Sequence, residues 1–163
     1  MKQIILLLIL SLFTSCDNGD IEIPSFEFDS MIKSCGSLVL YRLNAEKTEA
    51  LILHFDPTDL PTTEGITNIA ITDSNCNYRV FSGAVSSDYF CSDLPPVSPT
   101  VITNWLAVPG EVNNIQISTS EVFLDGLLNG YKHHIELQNL VLEQNNQSIT
   151  RTLYDFGYYI TEL

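Results

Sequence analysis

The chain has 163 residues, 45% of them hydrophobic, with seven Lys and Arg against twenty Asp and Glu and a net charge of −13. That balance weighs against nucleic acid as a ligand, because Lys and Arg must neutralise phosphates there, and against a domain that lies flat on anionic lipid. The length suits one domain with one sizeable core; no Pro/Gly-rich break divides it, and the acidity is dispersed as on a solvated surface.

Lys2 is the only charge before Cys16, and Ile4 to Leu12 is apolar apart from one serine. That run is too short to cross a bilayer as a helix. A basic start, a short apolar stretch and small residues at its end read as a secretory signal peptide over 1–15. Phe13-Thr14-Ser15 then lead into Cys16. This resembles the lipobox of bacterial lipoproteins, although Phe13 stands where Leu is usual. The resemblance implies that Cys16 becomes the N-terminus and carries lipid; the alternative is a plain signal peptide with a chance cysteine. Stable anchoring takes at least two acyl chains. Removal of 1–15 takes one lysine with it and leaves 148 residues, six basic and twenty acidic, at net −14.

Residues 16–25, "CDNGDIEIPS", read as a polar tether, and the domain as 26–163. "FEFD" from Phe26 alternates apolar and acidic and predicts a first edge strand. The body that follows reads as β, with short runs of β-branched, aromatic and leucine residues between turn clusters. The runs are 37–43, 50–55, 66–71, 78–83, 100–108, 112–123, 131–144 and a final pair over 149–156 and 158–163. "NAEKTEALI" could open a helical turn, but Leu51, Leu53 and Phe55 alternate with Ile52, His54 and Asp56 at strand period. One-sided alternation with short links predicts antiparallel sheets with one wet face. The fold class is therefore all-β, a single antiparallel β-sandwich of about eight or nine strands. The expected core is Val39, Tyr41, Leu51, Leu53, Phe55, Ile69, Ile71, Val80, Trp105, Ile115, Ile117, Ile135, Leu137, Leu153 and Tyr158. Ile135 and Leu137 give way to Leu140 and Leu142, a phase slip that predicts a bulge near Asn139.

With Cys16 lipidated, three cysteines remain in an oxidising compartment, so one stays unpaired or joins another chain. Cys35–Cys91, Cys76–Cys91 and Cys35–Cys76 are the candidate pairs. Cys35 lies between two predicted strands and Cys91 ends "SDYFC", so both look like fixed points; Cys76 falls in "TDSNCN", read as a hairpin tip that tolerates a lone thiol. Closing the 35–91 loop is worth about 4 kcal/mol in the chain-entropy model.

No sequence element points to a catalytic centre, a cofactor or a metal site. G-x-S-x-G, H-E-x-x-H, phosphate loops and dinucleotide fingerprints are absent. No C-x₂-C pair exists for zinc, and "DPTD" (56–59) offers two carboxylates where calcium wants six to eight oxygens. His133 and His134 are adjacent, so on a strand they face opposite ways: His133 goes with Ile135 and Leu137 toward the core, His134 with Glu136 and Gln138 toward solvent. Among the aromatic residues, "SDYF" (87–90), "LYDFGYY" (153–159) and Trp105 are the candidates for a carbohydrate- or peptide-binding platform, Tyr89, Phe90 and Trp105 foremost, with burial in an aromatic core as the competing reading.

Taken together, the lipobox with "CDNGDIEI", then "FEFD", Cys35, "YRLN" and above all "SDYFCSDLPPVSPTV" (87–101) resemble a group of small uncharacterised lipoproteins from flavobacteria and their relatives. The resemblance implies anchoring at the outer membrane, on its periplasmic or outer face, and a β-rich domain, and it supports pairing Cys35 with Cys91. Acidic residues just after the lipidated cysteine resemble a surface-export signal in that group. Asp29-Ser30-Met31 fits its short O-glycosylation pattern and marks Ser30 as a possible glycan site. The expected function is a cell-envelope lipoprotein, a non-enzymatic binding or scaffolding module whose membrane contact is the lipid alone and whose partner is an envelope protein or glycan. Two rivals remain. A hydrolase would show a concave pocket with two carboxylates about 5–9 Å apart. An accessory subunit of an envelope complex would show a bare edge strand or a flat apolar face.

Overall fold

A computed structural model describes residues 25–28, 31–36 and 38–163. Cys16 and Ser30 lie outside the described residues. Among the described residues, nine strands and one helical turn follow in order: β1 (Lys33–Cys35), β2 (Val39–Leu43), β3 (Glu49–His54), β4 (Gly65–Ala70), β5 (Cys76–Phe81), α1 (Asp88–Cys91), β6 (Val101–Ala107), β7 (Asn114–Leu124), β8 (Leu127–Gln144) and β9 (Gln147–Glu162). The fold is all-β and antiparallel. Hydrogen bonding is continuous in the order β1-β2-β3-β5-β6-β8-β7-β4, and β9 pairs with β8.

The long strand β8 makes a sandwich out of this single sheet. One of its edges pairs with β9 from Gly130 to Gln144. The other edge pairs with β7 up to Gln138 and then with β6 at Leu142 and Glu143. The change of partner happens at Asn139, which has a left-handed φ of 52°. The sheet therefore folds into two halves: β1-β2-β3-β5-β6 with the C-terminal part of β8, and β4-β7 with its N-terminal part. The slip expected at Asn139 is real, but it is a corner. The β8–β9 register is the same before it (Gln138 with Leu153) and after it (Leu140 with Arg151), so no residue is inserted in this ladder and both strands change phase together. The inserted residue comes earlier: Ile135 pairs with Gly157 and Glu136 with Asp155, leaving Phe156 as a bulge whose ring is fully buried. Gly157 takes a φ of +115° there, which side chains rarely adopt.

The two halves close on one core. Leu40, Leu51, Leu53, Tyr78 and Trp105 come from the first half, Ile115, Ile117, Ile135, Leu137 and Phe156 from the second. Two turns match the strand twist: Asp125-Gly126 and Asn145-Asn146 each have two consecutive positive φ values, the type I′ pattern. Loop composition thus sets the hairpins, while alternation sets which side chains face in.

Several expectations need correction. Of the expected edge strand "FEFD", the described residues 26–28 are not strand; Phe26 has a φ of 56°, and Phe26 and Phe28 instead fold inward, Phe26 stacking on Tyr78 with centroids 5.2 Å apart. Arg42 on β2 donates to the carbonyls of Phe28, Asp155 and Phe156, so this segment fills the side opening between β2 and β9. The final pair of strands is one strand, β9. Cys76 is no hairpin tip: it opens β5, which pairs with β3 rather than with β4, and it is fully buried. Leu153 and Tyr158 do not join the core; they are 58% and 56% exposed, because the corner and the Phe156 bulge turn both outward.

Candidate functional site

The residues proposed as a ligand platform separate. Trp105 is 3% exposed and belongs to the inner core, because β6 alternation turns Asn104 and Leu106 outward in its place. Tyr89 and Phe90 sit on the opposite side of the first half-sheet. α1, "DYFC" with Ser87 before it, lays these rings, half-buried, over Tyr41, Phe81 and Val85; Phe90 stacks on Tyr41 at 4.0 Å and Tyr89 meets Phe81 edge-on at 4.7 Å. Cys35 and Cys91 are joined, with Cα atoms 5.0 Å apart, and fasten this cover to β1. Cys76 is free, and burial pushes its thiol up to about 12. Tyr89, Phe90 and Trp105 therefore serve packing, and no single surface gathers them.

Two acidic places have geometry of their own. In "DPTD", Asp59 accepts from the Asp56 backbone N–H at 2.7 Å, and its own N–H donates to the Asp56 carbonyl at 2.9 Å. That is a capped turn. His54 beside it has its pKa lowered, first by burial and then by the Arg79 charge. The second place is a cleft of about 560 Å³ over the β2–β3 turn, lined by Glu27, Glu46 and Glu49 among others. Glu49 accepts from Ser25 Oγ at 2.9 Å and from the Tyr78 hydroxyl. Burial, followed by this bond to Glu49, holds the Tyr78 phenol well above its ordinary range. Asn44 Oδ1 caps the turn, accepting from the N–H groups of Thr48 and Glu49 at 2.8 and 3.0 Å. Glu49 thus latches the 25–28 segment to the domain. Among the described residues no three His, Cys, Asp or Glu side chains come together as metal ligands do.

The remaining aromatic surface is the outward face of β4, β7, β8 and β9. Registers place its side chains in three rows across the strands: Ile66, Ser118, His134 and Tyr158; Asn68, Gln116, Glu136 and Asp155; and Ser120, Lys132 and Ile160. Tyr158 keeps 56% of its surface exposed although two side chains lie against its ring. The His134 ring stacks on it at 4.5 Å with an interplanar angle of 18°, Lys132 Nζ lies 4.1 Å from its centroid, and His134 Nε2 is itself 3.0 Å from Asp155 Oδ1. β9 pairs with β8 alone, so beyond Tyr158 the sheet ends. The adjacent His133 points inward, fully buried, with Nδ1 and Nε2 each 3.0 Å from the hydroxyls of Thr119 and Thr161. Burial lowers its pKa. The opposed His pair was legible from strand alternation, whereas Tyr158 stood both in the expected core and, within "LYDFGYY", among the platform candidates; the Gly157 before it was the one local signal of a bulge.

Compared with known protein families, with characterised proteins and with solved structures, the chain matches none.

Proposed function

We propose that the protein is a cell-envelope lipoprotein, anchored through Cys16, whose β-sandwich is a non-enzymatic binding module using the outward face of β4, β7, β8 and β9. The observation that carries the binding reading is Tyr158, an exposed ring immobilised by His134, Lys132 and Asp155. An exposed tyrosine ordinarily loses rotamer freedom when a partner docks; one already fixed loses less, which favours binding. A rigid sheet behind it keeps the neighbouring hydroxyls and amides in register.

The anchor reading rests on the resemblance of residues 1–20 to a lipoprotein signal. With Phe26 packed in the core, the tether of 16–25 spans at most about 36 Å fully extended, so the domain works close to its membrane. Ser25 enters near the β2–β3 turn, which the strand registers put at the Gln144 end of β8. The β7–β8 turn is at the other end of that strand. Metabolic labelling with a fatty-acid probe tests the anchor: label on the wild type that disappears in Cys16→Ser supports it, and an unlabelled wild type or label that survives the substitution refutes it. For the face, a photo-crosslinking residue at Ser118 in cells should give adducts with envelope material that Tyr158→Ala abolishes; no adduct, or adducts indifferent to Tyr158, would remove this reading.

A hydrolase would draw on the Glu27, Glu46 and Glu49 cleft. Glu49 is occupied there by Ser25 and Tyr78, and Glu49→Gln is expected to loosen the 25–28 segment. An accessory-subunit reading draws on the 16-residue edge strand β9, whose middle is already covered by Arg42 and the 26–28 segment.

A further inference from the structure

We infer that the ligand of this face is an uncharged glycan chain lying across the strands, with a sugar ring stacked on Tyr158 and its neighbours hydrogen-bonded by Ser118, Gln116 and Asn68. This rests on reading the face as a binding surface and specifies the ligand.

The argument is one of chemical complementarity. The chain carries twenty acidic residues, yet the outward positions of β4 from Ile66 to Ala70 and of β7 from Asn114 to Ser120 include no ionisable side chain. They are amides, hydroxyls and two apolar residues. Amides and hydroxyls each donate and accept, which suits sugar hydroxyls that do the same. Of the charged groups on the β8–β9 side, Asp155 is engaged with His134 and Lys132 lies over Tyr158, while Glu136 stands in the row of Gln116 and Asp155. A pyranose presents C–H groups on its face and hydroxyls at its rim, so it needs one aromatic ring and a surround of polar side chains. Tyr158 supplies the ring, and the row Tyr158, His134, Ser118, Ile66 supplies the surround at strand spacing, about 4.8 Å per step.

Other ligand classes fit less well. A polyanion, whether nucleic acid or an acidic polysaccharide, would meet one lysine flanked by Glu136, Asp155 and Glu162 on a strongly acidic protein. A protein partner would call for a contiguous desolvated core of apolar and aromatic anchors, whereas here Ser118 and His134 separate Ile66 from Tyr158 and Ile160 is the one apolar side chain beside that ring on its own strand face.

The test is native affinity electrophoresis of the soluble domain in gels containing mixed-linkage β-glucan, galactomannan, arabinoxylan or glycogen, with alginate and polygalacturonate as acidic controls. Retardation by at least one neutral polymer is expected, weakened about tenfold or more by Tyr158→Ala and less by Gln116→Ala, with circular dichroism confirming that both variants stay folded. Phe90→Ala, on the other face, should bind as wild type. No retardation by any neutral polymer, retardation by the acidic polymers alone, or retardation unchanged in Tyr158→Ala would overturn the proposal. Photo-crosslinking from Ser118 separates the two levels. Protein adducts that depend on Tyr158, without glycan retardation, leave the face a binding surface and remove the glycan; neither signal removes both.

Discussion

The two halves of this sheet present opposite solutions to the same outward face. On the first half, Tyr41, Leu43, Ala50, Ile52 and Phe81 point away from the inner core and are nonetheless buried. The segment between β5 and β6 folds back over them, seats Val85, Tyr89 and Phe90 on top, and is bonded to β1 through Cys35 and Cys91. On the second half, the outward positions are mostly polar, Asn68, Gln116, Ser118, Ser120 and His134 among them, with Ile66, Tyr158 and Ile160 left exposed between them, and among the described residues no segment covers them. Apolar outward residues demand a cover, since leaving them wet forfeits roughly 25 cal/mol per Å²; hydroxyls and amides do not. Where a large ring stays on the uncovered face, as Tyr158 does, packing does not account for it. That contrast is what supports the proposal of a site on the second face, whereas the first is a structural layer.

The contrast can be broken most severely at the disulfide. Cys35→Ser with Cys91→Ser is expected to cost about 2–5 kcal/mol, as for native bridges in small secreted domains, measured by urea denaturation. The damage should be local as well: limited proteolysis should open the 82–100 segment first, with β7 to β9 still protected. A variant cleaved first in β7–β9 would contradict the assignment of the bridge to the cover. The next effect is smaller. Phe90→Ala removes a half-buried ring stacked on Tyr41, and a loss near the lower end of the range for a large apolar side chain is expected, about 1.5 kcal/mol. An effect below experimental error would mean that the cover contributes no packing energy.

A third test uses pH. His133 is buried between Thr119 and Thr161, and burial lowers its pKa. The unfolded chain, with a histidine near 6.5, therefore takes up the proton more readily than the folded one. Its contribution is complete above about pH 6.5 and is lost as pH falls toward the folded value, so this histidine makes stability rise with pH. His54 acts in the same direction, through burial and the Arg79 charge. Urea midpoints at pH 7.5 and pH 5.0 should differ in that sense, and His133→Gln should lessen the difference while lowering stability at both. An unchanged difference would show that His133 titrates normally.

Much of this was written in local pattern. Alternation alone located eight of the strand runs, separated His133 from His134 and put Ile115, Ile117, Ile135 and Leu137 in the core. Turn chemistry marked Asp125-Gly126 and Asn145-Asn146. Three kinds of information were not local. The partner change at Asn139 and the bulge at Phe156 shift the phase of β9 twice, so simple alternation could not tell that Leu153 and Tyr158 face outward. The 82–100 segment has no period, and its apolar residues acquire a role only when it reaches the far side of β2 and β3. The fate of "FEFD" depends on the gap between β2 and β9, which exists only once the sheet has folded over. Tyr158 was left between core and platform, and Trp105 was put forward for the platform, for the same reason: exposure of an aromatic residue in a β-sandwich is decided by phase, and phase is set by irregularities that pattern reading averages away.

The smallest effect on stability is the most informative. Tyr158→Ala removes a ring that is more than half exposed, whose contacts are His134, Lys132 and solvent, and substitutions of that kind usually fall within about 0.5 kcal/mol. Thermal and urea unfolding should thus barely distinguish it from wild type. If Tyr158 were a structural residue, its loss would free the His134 ring, expose the β8–β9 ladder around it and lower the unfolding midpoint visibly. A near-silent variant in unfolding that loses ligand retardation would place the residue in binding alone. A variant that unfolds early would instead move Tyr158 into the same structural class as Phe90, and the difference between the two faces would then reduce to how much cover each has.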